Sequence, residues 1–328
     1  MFNNVSRRSF VVSAAAAGAA FGLNGRVEFL PSALAQDAAR ETGLNPRKLQ
    51  FYKFKVGDIE VTQILDGEVI RPHAENFVRN ATIEERQKAL AAGGVITDGV
   101  PTGFTVTTAK IGDRRVIFDA GNGAAGLPAS GRLTANMKAA GFEQKDVTHV
   151  VLTHFHPDHI FGLMDKDNQP LYPNAEIILP AAEINFWTDE GRTSKLPAGV
   201  QGLVQRINAT LAKWSNVRRF EGGTEVLPGV KPVATYGHTP GHTSFLLNSG
   251  ASQFMVLADV TNVKELFLRN PGWHVVFDMD PNAAEATRRA IFDRVIADKI
   301  AVSGYPWGMP GCGTISKDGA GYALAPMA

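Results

Sequence analysis

The apolar positions of the chain predict β-strands in two groups, each accompanied by helices. Runs at residues 51–56 and 59–65 flank Gly57-Asp58, a pattern that favours a hairpin. The predicted strands are 51–56, 59–65, 104–110, 115–119, 147–152, 175–179, 226–235, 244–247, 254–258, 299–303 and, at an edge, 321–324. Two groups of this kind predict an α/β fold in which two sheets pack face to face with helices outside.

Helix signals lie between these strands. Thr82 to Glu85 has the spacing of a capping box, which predicts a helix to about residue 92. Asp280-Pro281 places an N-cap aspartate before a proline, which predicts a helix to about residue 298. Further helices are predicted at 132–140, 181–187 and 202–214. Because no linker interrupts residues 51–328, we expect them to form a single domain.

The first 35 residues predict an export signal rather than part of the fold. Ser6-Arg7-Arg8-Ser9-Phe10 resembles a twin-arginine signal, and Ala33-Leu34-Ala35 has the pattern of a cleavage site. The uncharged stretch at 10–24 is too short for a membrane span. We therefore expect a signal at 1–35, a lead-in at 36–50, and export by the twin-arginine machinery to the periplasm or medium. A disordered basic tail is the alternative.

Composition limits which binding partners and which kinds of metal site are expected. The chain has 328 residues, a net charge of +1 and one cysteine, Cys312. This charge gives no reason to expect nucleic acid or an anionic membrane as a partner, so a small-molecule substrate is expected. One cysteine excludes an internal disulfide and a cysteine-rich zinc site. Any metal must be held by His, Asp or Glu.

The segment from Thr153 to His159 carries the most specific chemistry. Four groups that can bind a divalent metal follow a predicted buried strand at H-x-H-x-D-H spacing: His154, His156, Asp158 and His159. Residues two apart on an extended backbone project to the same side, and the last two can reach a neighbouring point. The segment therefore offers ligands for two adjacent metals. A polar loop with surface histidines is the alternative.

Two later segments supply further ligands. Gly237 to Thr243 contains two histidines between predicted strands. We expect His242 to complete a three-histidine site, because Pro240-Gly241 turns the backbone directly before it, and His238 to be structural. Asp259 ends a predicted strand, where its two oxygens could bridge two cations.

The order of these motifs resembles the metallo-β-lactamase fold superfamily, and more closely its exported methyl parathion hydrolase-like branch. The resemblance spans about residues 50–325 and implies a four-layer αββα sandwich. It implies one metal on His154, His156 and His242. A second metal would bind Asp158, His159 and a bridging Asp259. It further implies that Asp119 accepts the other N–H of a ligand imidazole, and that Asp158 orients the nucleophile or shuttles a proton. Relatives are often dimers, so a homodimer is an expectation.

The C-terminal region departs from the family pattern. Alignment on Pro310-Gly311 puts Pro306 where the family has one more metal-binding histidine. We expect one or two Zn²⁺ per chain, with the second site weakened. Three outcomes stay open: loose binding completed by water or Tyr305, loss of the second metal, or replacement by His274 or Cys312. Phe161 is a second departure, because many relatives have glycine there. Phe161, Phe155 and Trp307 could line the substrate pocket, and core packing is the alternative for each.

These observations predict a metal-dependent hydrolase. Zinc lowers the pKa of bound water from 15.7 to about 7, so a metal-activated water would be the nucleophile. The resemblance implies an ester, a lactone or an organophosphotriester as substrate, and no residue selects among them. Two alternatives are kept. One is a mononuclear enzyme, such as an iron-dependent oxygenase with His154, His242 and Asp259. The other is a degenerate metal-binding member without turnover, which Pro306 alone supports.

Overall fold

Two β-sheets face each other in the computed structural model, which describes residues 27–29, 50–124 and 129–327. In the described residues the strands of the first sheet lie side by side in chain order. They are β1 (Val27–Phe29), β2 (Phe51–Val56), β3 (Ile59–Arg71), β4 (Val100–Ile111), β5 (Arg114–Phe118), β6 (His149–Val151), β7 (Glu176–Pro180) and β8 (Val217–Phe220). Strands β1 to β5 pair antiparallel, and β5 to β8 pair parallel.

The second sheet has the order β14-β13-β12-β11-β10-β9 among the described residues. Its strands are β9 (Val230–Ala234), β10 (Thr243–Ser249), β11 (Ser252–Ala258), β12 (Ala301–Gly304), β13 (Cys312–Asp318) and β14 (Gly321–Pro326). Only β11 and β12 pair parallel; the others pair antiparallel. The predicted edge strand at 321–324 is thus confirmed as β14.

Helices cover the outer faces of both sheets. They are α1 (Ile83–Ala92), α2 (Leu133–Ala139), α3 (Pro157–Ile160), α4 (Ala181–Trp187), α5 (Glu190–Thr193), α6 (Ala198–Leu211), α7 (Lys264–Phe267) and α8 (Pro281–Ala297). Short 3-10 turns occupy Gln144–Asp146, Phe161–Leu163 and Tyr305–Trp307. None of the described helices is both long and apolar enough to cross a membrane.

Buried apolar side chains form separate cores between successive layers. Between the two sheets, Phe54 and Val116 pack with Phe245 and Phe254. One core joins the first sheet to α2, α4 and α6, and another joins the second sheet to α8. The order of layers is therefore helix, sheet, sheet, helix, which confirms the predicted α/β sandwich.

Local signals placed several elements correctly. Thr82 caps α1 in a capping box with Glu85, and the Asp280 side chain accepts a hydrogen bond from the backbone N–H of Ala283 at 3.0 Å. Strands β8 and β13 were not predicted, because their sequences are polar or glycine-containing and become extended only beside a neighbouring strand. Apart from Val27–Phe29 and Gln50, the predicted signal and lead-in lie outside the described residues.

Candidate metal centre

The H-x-H-x-D-H segment crosses from the end of a strand into one turn of helix. A loop follows β6, and α3 begins at Pro157. His156 is extended (φ −65°, ψ 155°) directly before the helix, where proline at the first position loses no hydrogen bond. The loop therefore presents the first two histidines, and the helical turn presents Asp158 and His159.

Side chains of this segment meet those of two later loops. His154, His156 and His238 place ligand atoms within 4.8 Å of one another, and so do His154, His159 and Asp259. The Nδ1 of His156 and the Nε2 of His238 lie 2.9 Å apart. Because His154 belongs to both groups, they form one cluster with two adjacent positions for a cation. We call these five residues together with Asp158 the donor cluster.

The Asp259 carboxylate lies between the two positions. Its Oδ1 is 3.4 Å from the Nε2 of His159, and its Oδ2 is 3.5 Å from the Nε2 of His238. The Oδ2 of Asp158 lies 3.6 Å from the same His159 nitrogen. Asp259 follows β11 directly. Its two oxygens therefore face donor atoms of both positions, and a bridging role for Asp259 stays a prediction.

The structure corrects the choice between the two histidines of the 237–243 loop. His238, expected to be structural, lies in the donor cluster, whereas His242 lies in neither group. The Nδ1 of His242 is 2.8 Å from the Thr235 hydroxyl, and its Nε2 accepts the backbone N–H of Asp259 at 3.1 Å. His242 directly precedes β10, and both nitrogens of its buried ring are engaged by these contacts.

Three donor atoms of the cluster are buried without a hydrogen-bond partner among the described residues. They are the Nε2 of His154, the Nε2 of His159 and the Oδ1 of Asp259. An unsatisfied buried polar atom costs about 1–3 kcal/mol, and three converging on one point are not expected in a stable core. A divalent cation would satisfy them together, so these residues fit the metal site that the fold implies.

The charge states in the cluster suit metal binding. Burial lowers the pKa of His154 and of His156 well below the ordinary value. Burial also favours neutral His159, but the carboxylates of Asp119, Asp259 and Asp158 raise its pKa well above that value. For Asp259, burial opposes ionisation, yet the His159 imidazole holds the pKa of the carboxyl well below its usual range. A cation would displace the His159 proton and take its place beside these carboxylates.

Asp119 positions two imidazoles of the cluster, those of His154 and His159. Its Oδ2 lies 2.8 Å from the Nδ1 of His159, and its Oδ1 accepts the backbone N–H of Thr153 at 2.8 Å. The Thr153 hydroxyl lies 3.0 Å from the Nδ1 of His154. This network fixes both rings with Nε2 facing the cluster, which is the contact that the resemblance implied for Asp119.

Asp278 positions a further imidazole of the cluster, that of His238. The sequence did not indicate this role. Its Oδ1 lies 2.8 Å from the Nδ1 of His238, and its Oδ2 lies 3.3 Å from the guanidinium of Arg288. Arg288 also donates to the backbone oxygens of Val260 and Pro271. The side chains of His238, Asp278 and Arg288 are each at most 3% exposed. No local pattern around Asp278 signals the contact, because its partners come from distant segments.

Glu183 on α4 is a second missed residue, and it fixes the loop between the two histidines. It accepts hydrogen bonds from the Thr239 hydroxyl, the Gly241 N–H and the Trp187 indole. Burial raises the pKa of the Glu183 carboxyl to about 8. The Glu183 carboxyl thus joins α4 to the loop that carries His238.

Comparison with known proteins agrees with this geometry. The profile of the metallo-beta-lactamase superfamily matches residues 105–302, more than half of the chain. The chain belongs to the metallo-beta-lactamase superfamily.

Relatives within this superfamily include lactonases. An N-acyl homoserine lactonase of Bacillus cereus is 27% identical over 137 residues, which are 42% of this chain and 47% of that protein. The match thus spans about half the length of this curated relative. The structure of AidC, described as a dizinc quorum-quenching lactonase, is 23% identical with a TM-score of 0.80, covering 85% of this chain and 97% of AidC. The hydrolase AbOPH is 26% identical with a TM-score of 0.79, covering 85% and 98%.

The second position of this superfamily member has three protein donors among the described residues: Asp158, His159 and Asp259. Pro306 is buried in a 3-10 turn and offers none. The Tyr305 ring stacks 3.9 Å from that of His159, and its hydroxyl donates to the backbone oxygen of Asp158.

The two other candidates for the missing ligand lie elsewhere. The Nε2 of His274 lies 3.0 Å from a carboxylate oxygen of Glu285. Cys312 is fully buried in the core between the two sheets. Neither side chain belongs to the groups of potential ligands in the described residues.

Two of the three predicted pocket aromatics are core residues instead. Phe155 is fully buried in the core beneath the first sheet, and Trp307 is 2% exposed in the core beneath the second. Both residues follow strands whose apolar faces turn inward. The sequence alone could not show whether an aromatic side chain there packs in the core or lines a pocket. Phe161 is 7% exposed; it stacks against Arg206 and lines a cavity of about 270 Å³ to which no donor-cluster residue contributes.

Replacing Asp278 with asparagine tests the support of His238. Asp278→Asn removes the charged acceptor for the imidazole N–H, and we expect zinc affinity to fall about 10- to 100-fold. Competition with a chromophoric chelator measures the affinity. Asp280→Asn is the matched control, because asparagine caps a helix as well as aspartate does and residue 280 is exposed. Equal affinity in both variants, with folding verified by circular dichroism, would contradict the assignment.

Proposed function

We propose that this protein is a zinc-dependent hydrolase that opens lactones or simple esters. The observation that carries the proposal is the convergence of buried, unpartnered donor atoms of His154, His159 and Asp259 on one point. The lactonase relatives support a lactone as substrate. An organophosphotriester is the second candidate, favoured by the motif resemblance to methyl parathion hydrolase-like proteins.

The donor cluster assigns separate tasks to its residues. His154, His156 and His238 with Asp259 would hold one zinc ion, and Asp158 and His159 with the same Asp259 would hold the other. When bound, zinc acidifies water and polarises the carbonyl of the substrate. The Asp158 side chain is 26% exposed, more than that of Asp259 or His159, so it faces incoming substrate. Asp158 would orient the nucleophile or carry a proton to the leaving oxygen.

The mononuclear iron alternative loses its support in this geometry. It required His242 beside His154 and Asp259, but the Nε2 of His242 already accepts the Asp259 backbone N–H. A metal-binding member without turnover remains the competing outcome of the experiments below. A homodimer stays a prediction.

Removing one cluster imidazole tests the metal site and the activity together. His238→Ala should weaken zinc binding and hydrolysis of N-hexanoyl homoserine lactone at least about tenfold, because it removes one of the four donors of the first position. His274→Ala is the control, since it removes an imidazole bound to Glu285 outside the cluster. Zinc per chain by elemental analysis and lactone turnover are measured. Zinc binding without hydrolysis of lactone, ester or phosphotriester by the unaltered protein would favour the inactive alternative.

The two zinc positions should differ in affinity. The first has three nitrogens and one oxygen, whereas the second lacks a fourth protein ligand, so we expect it to bind at least about tenfold more weakly. Pro306→His should strengthen the second event in calorimetric zinc titration. Pro306→Ala removes the proline without offering a nitrogen and should not. Equal affinities in the unaltered protein, or the same gain with alanine, would contradict this ranking.

Export by the twin-arginine route is proposed from the first 35 residues alone. The predicted product begins at Gln36 and is periplasmic or secreted. Arg7→Lys combined with Arg8→Lys should leave the uncleaved chain in the cytoplasm. Cell fractionation and N-terminal sequencing test this, and a mature N-terminus unchanged by both substitutions would reject the route.

A further inference from the structure

The guanidinium of Arg71 lies near the donor cluster. Arg71 ends β3, and its guanidinium carbon is 5.5 Å from the centre of the Phe277 ring. Phe277 directly precedes Asp278, which holds His238. The Arg71 guanidinium also interacts electrostatically with the Asp158 carboxylate. Arg71 therefore lies between one member of the cluster and the loop that orients another.

Arg71 has no hydrogen-bond acceptor among the residues that the structure describes. Its Nε is buried without a partner, and among the described residues its side chain forms neither a hydrogen bond nor an ion pair within 4 Å. Burial lowers the pKa of the guanidinium, and the Asp158 carboxylate opposes that change only in part. A buried charged donor without an acceptor is costly, so an oxygen atom supplied by a ligand would complete it.

Large apolar side chains are exposed on the segments that carry His238 and Asp278, and one of them, Phe277, lies beside this arginine. Tyr236 is 48% exposed, Phe277 38% and Met279 36%. Each adjoins a residue of the cluster or its support, because Tyr236 lies two positions before His238, and the other two flank Asp278. Exposed apolar side chains around a few polar groups are typical of a site for a ligand with an apolar part.

We propose that Arg71 is a specificity-determining residue that donates a hydrogen bond from Nε to the amide oxygen of an acylamino-substituted lactone. This rests on the proposed function, and it names the substrate class within it. The metals would take the reacting carbonyl of the ring, Arg71 the neighbouring amide oxygen, and the exposed apolar side chains the acyl chain. The order of groups in such a substrate (ring ester, amide, alkyl chain) fits an Arg71 that interacts with Asp158 on one side and Phe277 on the other.

A variant that removes only the donor tests the proposal. Arg71→Met keeps an unbranched side chain of similar reach. With N-hexanoyl homoserine lactone we expect KM to rise about 10- to 100-fold, the effect of losing a hydrogen bond to a charged group, with kcat within about threefold. With γ-caprolactone, which has the ring but no amide, KM should change less than about threefold. Equal losses on both lactones, or on neither, would overturn the proposal.

Two further variants distinguish a directional hydrogen bond from a general effect of positive charge. Arg79→Met removes a nearby cation whose guanidinium donates to the Val276 backbone oxygen, and it should leave both KM values unchanged. Arg71→Lys keeps the charge but has no Nε–H, so it should remain impaired with the acylated lactone. Full recovery with lysine would reject a directional hydrogen bond. Zinc content, measured for every variant, should equal that of the unaltered protein.

Binding of the ring-opened product separates failure of this proposal from failure of the proposed function. If the unaltered protein hydrolyses neither lactone, the proposed function fails. Calorimetry with N-hexanoyl-L-homoserine still decides the role of Arg71, because binding needs no turnover. A dissociation constant at least about tenfold weaker in Arg71→Met than in Arg79→Met supports the role, and equal constants overturn it.

Discussion

The buried carboxylate of Asp259 is the constraint on which the centre depends. One oxygen faces His159 and the other faces His238, and its side chain is 8% exposed. An ionised carboxylate at this depth requires a positive partner. His159 supplies that charge only while it is protonated, since burial lowers the pKa of His154 and of His156 and so favours their neutral forms. A cation between these groups would balance the carboxylate and satisfy the unpartnered nitrogens together.

The rest of the fold positions the imidazoles on either side of the Asp259 carboxylate. Asp119 follows β5 at a positive φ of 68°, an uncommon conformation for aspartate, and from there it binds His159. On the other side, Asp278 links His238 to Arg288 of α8. Gly237 makes this approach feasible, because a Cβ there would lie 2.2 Å from the backbone nitrogen of Ala284. The first sheet supports one half of the centre, and the second sheet with α8 supports the other.

Much of the fold could be predicted because its signals are local. The strand β2 and the helix α4 occupy the residues expected, and α8 begins at the predicted proline. The strand β3 runs to Arg71, beyond the apolar run that predicted it, because pairing with β4 continues through polar residues. That extension brings Arg71 to the centre. The spacing of apolar residues does not indicate where a strand is extended by pairing with a neighbouring strand.

The sequence by itself determined the H-x-H-x-D-H segment, since its ligands lie within six residues and their spacing is a property of the backbone. It also determined that no cysteine site exists and that Asp259 ends a strand. Only the tertiary structure decided between His238 and His242. Both lie in one short loop, and which imidazole faces the cluster depends on packing against Glu183 and α8. Contacts between residues far apart in the chain leave no local pattern, because they are created by the layers that bring them together.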